Sequence, residues 1–188
     1  MRRFAVELQI LAGDARVLTR PGLTASRRRG LQARIAGSLS SLRLLARQYL
    51  QAVDRRSPHL LDDVDALRQA HQAGRLKRLA RGSAALVQRY PLDTHGLRAA
   101  DATEQDRAAG RRIYRHLCMG CHAHPDPSRD NPAPDLFKMA RQLPEREFIA
   151  RLVGGVHGTP AVALHNPFTD AQLAGLAAFL TVRASHLH

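Results

Sequence analysis

Tryptophan is absent from this 188-residue sequence, and aromatic residues make up only 4% of it. Strands favour aromatic and β-branched residues, whereas this chain is rich in Ala, Leu, Arg and Gln, all strong helix formers. The composition therefore predicts an all-α protein. No apolar run is long enough to cross a bilayer, so no transmembrane segment is expected. Acidic residues are also scarce, 16 against 29 Lys and Arg, for a net charge of +13. Residues 1–100 carry 19 basic and 7 acidic side chains, and residues 101–188 carry 10 and 9. That step predicts two units, a basic one over 1–95 and a second over 103–188. The basic unit favours an acidic counterpart: a protein surface, anionic lipid or nucleic acid.

Helical periodicity is plain in the basic half. Phe4, Leu8, Leu11, Ala15 and Leu18 form one stripe, ended by "RPGLT" at 20–24. A longer helix is expected from Ser26 to about Arg56, with Leu31, Ile35, Leu39, Leu42, Leu45, Tyr49 and Val53 on one face. Ser57–Pro58 reads as an N-cap followed by Pro at the first helical position, opening a helix that Gly74 ends. A fourth runs from Arg75 to Arg89, before Pro91. Four helices with short links predict an up-down bundle. Arg27–Arg28–Arg29 comes with no nucleic-acid-binding motif and few aromatics for stacking, so it reads as a solvated basic helix start, and no nucleic-acid partner is expected.

"PLDTHGLRAADA" (91–102) reads as the linker. Thr103 to Asp106 is a T-x-x-D capping pattern, opening a helix that runs into Cys118. The stretch from Ala123 to Pro134 is expected to be loop. A short helix follows over Leu136–Gln142, and another from Pro144 to Gly154–Gly155. Thr169 and Gln172 cap a last helix ending near Ala184.

Both cysteines of the chain lie within "CMGCH", Cys118 to His122. C-x-x-C-H is the spacing of haem c attachment. Two thiols three residues apart at a helix end reach the two vinyl groups of one porphyrin. The next residue then sits under the iron, where an imidazole nitrogen binds axially. A thioredoxin-like redox pair would need a βαβ context, and none is evident. Zinc would need two further ligands, for which His122 and His124 are too compactly spaced. No Ser-His-Asp, paired-carboxylate or P-loop constellation is visible, and a single C-x-x-C-H argues against a di-haem peroxidase.

Residues 103–184 resemble a small class I, single-haem cytochrome c domain. Three stretches carry the resemblance: "GRRIYRHLCMGCH" with Gly110 and Tyr114 before the cysteines, "APDLF" beyond the histidine, and "TDAQLAGLAAFL" with Phe179 at the end. The resemblance implies that Gly110 lets the first and last helices cross closely, with Tyr114 packed at the crossing. It implies covalent haem c on Cys118 and Cys121, His122 as axial ligand, the Pro134 carbonyl accepting from His122, and Leu136 packed on the haem. Members of this family often place Met-Pro before the last helix, where this chain has Thr159–Pro160. A threonine hydroxyl is a poor ligand for haem iron. The candidates for the sixth position are His157 first, then an open or weakly ligated site, then His165, with Met139 placed too near the proximal side.

The function this implies is an electron carrier, not an enzyme, whose positive bundle surface meets an acidic redox partner protein. A haem-based ligand binder or sensor is the alternative, and an electron-transfer subunit of a larger oxidoreductase a third reading. Haem c attachment implies a periplasmic location. "MRRFAVELQILAGDA" begins like a secretory leader, but Glu7 and Gln9 interrupt its apolar stretch, so the expectation is a removed leader or another export route.

Overall fold

The computed structural model describes residues 2–53, 59–126, 128, 132–155 and 167–185. The described residues are helical or irregular, with no strand among them, and the fold is all-α. The chain divides into two compact units, 1–92 and 93–188.

The first unit holds α1 (Arg2–Leu18), α2 (Ala25–Ala52), α3 (Leu60–Gln72) and α4 (Leu76–Arg89). Thr24 caps α2, its hydroxyl accepting from the Arg27 amide at 3.2 Å. Gly74 ends α3 in the left-handed region (φ 65°), where a Cβ would be strained, and the next amide, Arg75 N–H, donates back to the Ala70 carbonyl at 2.8 Å. The Ser57–Pro58 start expected for α3 lies outside the described residues; the N-cap of α3 is His59, which makes no side-chain cap bond.

Each helix packs on two neighbours, α1 and α3 both lying between α2 and α4. The side-chain pairs fix their directions. Asp14 pairs with Arg34 near the α1–α2 link, and Phe4 stacks against Tyr49 at the far ends of the same two helices. Arg43 bonds Asp65 at 2.9 Å across α2 and α3, and Arg89 bonds Asp63 at 2.7 Å across α3 and α4. Phe4 also meets Tyr90, joining the start of α1 to the end of α4. Neighbours are therefore antiparallel throughout, an up-down-up-down bundle. The stripes read from sequence on the first two helices line its core, where Phe4, Leu8, Leu11, Leu18, Leu31, Ile35 and Leu42 are less than 2% exposed, and Leu60 and Leu79 join them from α3 and α4. Each such side chain stabilises the fold by roughly 1.5–3 kcal/mol relative to exposure.

The second unit contains α5 (Glu104–Ile113), a π turn over Tyr114–Cys118, α6 (Met119–His122), α7 (Leu136–Gln142), α8 (Glu145–Gly154) and α9 (Asp170–Ser185). Its packing is centred on α9, which lies against α5, α7 and α8. The stretch 91–102, read from sequence as connection, is not slack. Leu92 and Leu97 are buried, and a 3₁₀ turn at Ala99–Asp101 packs on α9. The helix expected to run into Cys118 continues to His122, its turn widened from α to π at 114–118.

Candidate functional site

Two capping boxes set the helices that build the site. At α5, the Asp106 amide donates to Thr103 Oγ1 at 3.1 Å, while the Thr103 hydroxyl and amide donate to Asp106 Oδ2 at 2.6 and 3.0 Å. These bonds hold the Asp106 carboxyl below its ordinary pKa. At α9, Thr169 N–H donates to Gln172 Oε1 at 2.9 Å, and Gln172 N–H returns a bond to Thr169 Oγ1.

α5 and α9 then cross in direct backbone contact. A Cβ at Gly110 would fall on the carbonyl of Gly175 and the amide of Leu176, and a Cβ at Gly175 on the carbonyl of Asp106. Gly110 was legible from its motif; its counterpart Gly175 was not, although "LAGLAAF" places a glycine on the apolar face of the last helix. Below the crossing, Tyr114, Phe137 and Phe179 form a ring cluster with centroids 5.0–5.7 Å apart. The three aromatics come from three helices and lock α7 to the α5–α9 pair.

Beyond Tyr114 the helix presents the sulfur-bearing turn. Cys118 and Cys121 are both free thiols, the first half-buried and the second exposed. Spacings of three and four put Cys118, Cys121 and His122 on one helical face. Burial, and after it the neighbouring Cys121, pushes the Cys118 thiol above its ordinary pKa. Flanking them are Leu117, 69% exposed, and Met119, 45% exposed.

His122 is fixed by the backbone 12 residues on. Its Nδ1 lies 2.5 Å from the Pro134 carbonyl oxygen. A carbonyl only accepts, so Nδ1 carries the proton and Nε2 is left with its lone pair for a metal. Asp135, unremarked in the sequence, holds Pro134 in register: its Oδ1 accepts from the Phe137 and Lys138 amides at 2.8 and 3.1 Å and starts α7. Leu136 follows, buried at 6% exposure. The donor set thus fits a haem c. Two thiols stand one turn apart, and a correctly tautomerised imidazole lies beside them.

Other candidates fall differently. Met139 lies half-buried on α7, the helix that starts at the His122 contact. His157, Thr159 and His165 lie outside the described residues. His116 and His124 are exposed. Among the described residues no cluster of three or more His, Cys, Asp or Glu side chains could hold a metal ion, so the tetrahedral set that zinc requires is not assembled there.

Residues 105–180 match the family model described as cytochrome c oxidase, cbb3-type, subunit III. The match covers most of the second unit and less than half of the chain. No curated protein and no solved structure matches the chain. Such a domain implies covalently bound haem c and a role in electron transfer. The C-terminal half of this chain is a c-type cytochrome domain.

Proposed function

We propose that the chain is a single-haem electron carrier, or the electron-transfer subunit of an oxidoreductase, with haem c joined to Cys118 and Cys121 and ligated by His122. The observation that carries this reading is the bond from His122 Nδ1 to the Pro134 carbonyl, which directs Nε2 to a metal from beside two free thiols. When bound, the haem supplies one-electron cycling between Fe(II) and Fe(III). The chain's own part is to hold and orient. His122 keeps one tautomer because Pro134 O can only accept, and that bond raises the basicity of the ligating nitrogen. Leu136 excludes water on the His122 side. Exposed Leu117 and Met119 border the sulfurs and offer an apolar contact through which an electron partner can approach. Arg112 and Arg115, exposed in the two turns before Cys118, suit an acidic partner protein, whose approach they accelerate and salt slows. At the sixth position His157 ranks first, an open or weakly ligated site second and His165 third, on the spacing of the sequence alone. A periplasmic location follows from the chemistry of haem c attachment, and cytochrome c domains are usually extracytoplasmic. Among the described residues no helix is long and apolar enough to cross a membrane.

The test is the absorption spectrum of the protein produced in a host that matures c-type cytochromes. Sharp α and β bands on reduction, unmoved by CO, are expected, and His157→Ala converts them to a high-spin spectrum. A broad reduced spectrum that sharpens with CO would overturn the electron-carrier reading in favour of small-ligand binding.

A further inference from the structure

The first unit concentrates its charge at one end. The antiparallel order brings together the end of α1, the start of α2, the end of α3 and the start of α4. The sequence between residues 15 and 53 contains no Asp or Glu, and neither does that between 66 and 92. The two links that meet at this end, with the helix ends beside them, therefore contribute no carboxylate. The nearest acid, Asp14, is buried and already paired with Arg34. The α1–α2 hairpin contributes Arg16, Arg20 and Arg27–Arg29, and the α3–α4 hairpin Arg75, Lys77 and Arg78.

The placement is unfavourable for the bundle by itself. The N-termini of α2 and α4 carry positive partial charge, and neither helix has an acidic residue in its first turn. At the other end α3 follows the rule, beginning with Asp62 and Asp63, whereas α1 begins with Arg2 and Arg3. Two helix dipoles and a cluster of guanidinium groups thus point the same way at one blunt face. An external polyanion relieves that repulsion.

We propose that this end of the bundle docks on an anionic phospholipid surface. Three features favour lipid over an acidic protein. The charge is almost all arginine, whose planar fork matches phosphate oxygens in pairs. It is spread over four helix ends, which suits a planar charge sheet. It also belongs to the first unit, whereas electron exchange takes place on the second, whose charge is nearly balanced, with 10 basic and 9 acidic residues over 101–188. The bundle tethers and the haem unit exchanges electrons.

Co-sedimentation of the full-length holoprotein with vesicles tests this. Vesicles of phosphatidylglycerol and phosphatidylcholine in equal parts should bind it, with affinity falling steeply with salt, and vesicles of phosphatidylcholine alone should not. The triple variant Arg20→Gln, Arg28→Gln, Lys77→Gln should lose about a hundredfold in affinity. The control triple Arg2→Gln, Arg3→Gln, Arg47→Gln, at the opposite end, should lose much less. Circular dichroism checks that both fold; should either not, the wild-type dependence on salt and on phosphatidylglycerol content still decides. Failure of the wild type to bind the anionic vesicles, or equal losses in the two triples, overturns the proposal. So does tight binding to an acidic polypeptide or to RNA with none to vesicles. None of these outcomes touches the haem reading, which the absorption spectrum tests separately.

Discussion

Replacing Gly110 by alanine puts one methyl group where α5 and α9 touch. The atoms it meets are backbone: the Gly175 carbonyl and the Leu176 amide. A flexible side chain would swing away, but here the helices themselves have to part, by about 1 Å for ordinary contact in an interior packed at crystal density. A gap of that size forfeits about a quarter to a half of each dispersion contact along the crossing. Overpacking typically costs about 1–3 kcal/mol, and a backbone obstacle belongs at the upper limit, so we expect a loss of about 3 kcal/mol or more for Gly110→Ala. Gly175→Ala should behave alike, its Cβ meeting the Asp106 carbonyl. Gly37, in α2, has nothing within 4 Å of its Cβ position, so Gly37→Ala should stabilise by about 0.5–1 kcal/mol through helix propensity alone. Thermal unfolding of the holoprotein, followed at the haem absorption for the second unit and by circular dichroism for both, separates the cases. At about 4–8 °C per kcal/mol for a unit of this size, the Gly110 variant should melt the haem signal at least about 12 °C earlier. A Gly110→Ala protein within about 1 kcal/mol of wild type would refute the close crossing.

Further outcomes follow from single residues. Asp14→Asn strips the charge from the buried partner of Arg34 and should cost about 3 kcal/mol in urea unfolding of the first unit; an unchanged midpoint would show that the pair is dispensable. Asp106 has a folded pKa below its unfolded one, so its contribution is present above the unfolded value and is lost as pH falls through the folded one. Asp106→Asn should therefore flatten the acid limb of the second unit's stability profile while lowering stability at neutral pH, and a parallel profile would contradict the capping role. Cys118→Ala with Cys121→Ala should abolish haem staining on a denaturing gel, while either alone retains one thioether.

The repeating apolar stripe made the bundle legible, because burial of one face dictates where Leu8, Leu31 or Ile35 must sit. The site was legible where one short motif carries the chemistry: Cys118, Cys121, His122 and the Pro134–Leu136 segment stood out together. Less was readable where the reason lies in a distant element. Gly175 matters only because α5 arrives there, and Asp135 because its amide partners follow a carbonyl used by His122. The π turn at 114–118 leaves no mark in composition, since the same residues suit an α-helix. Leu97 looked like part of a linker because α9, on which the turn just after it packs, lies more than 60 residues on.

The most direct test of the central claim is the intact mass of the denatured full-length protein, made where c-type cytochromes are matured. A single haem should remain on the polypeptide after denaturation, confined on proteolysis to the peptide holding Cys118 to His122. A bare polypeptide mass with two free thiols would contradict it.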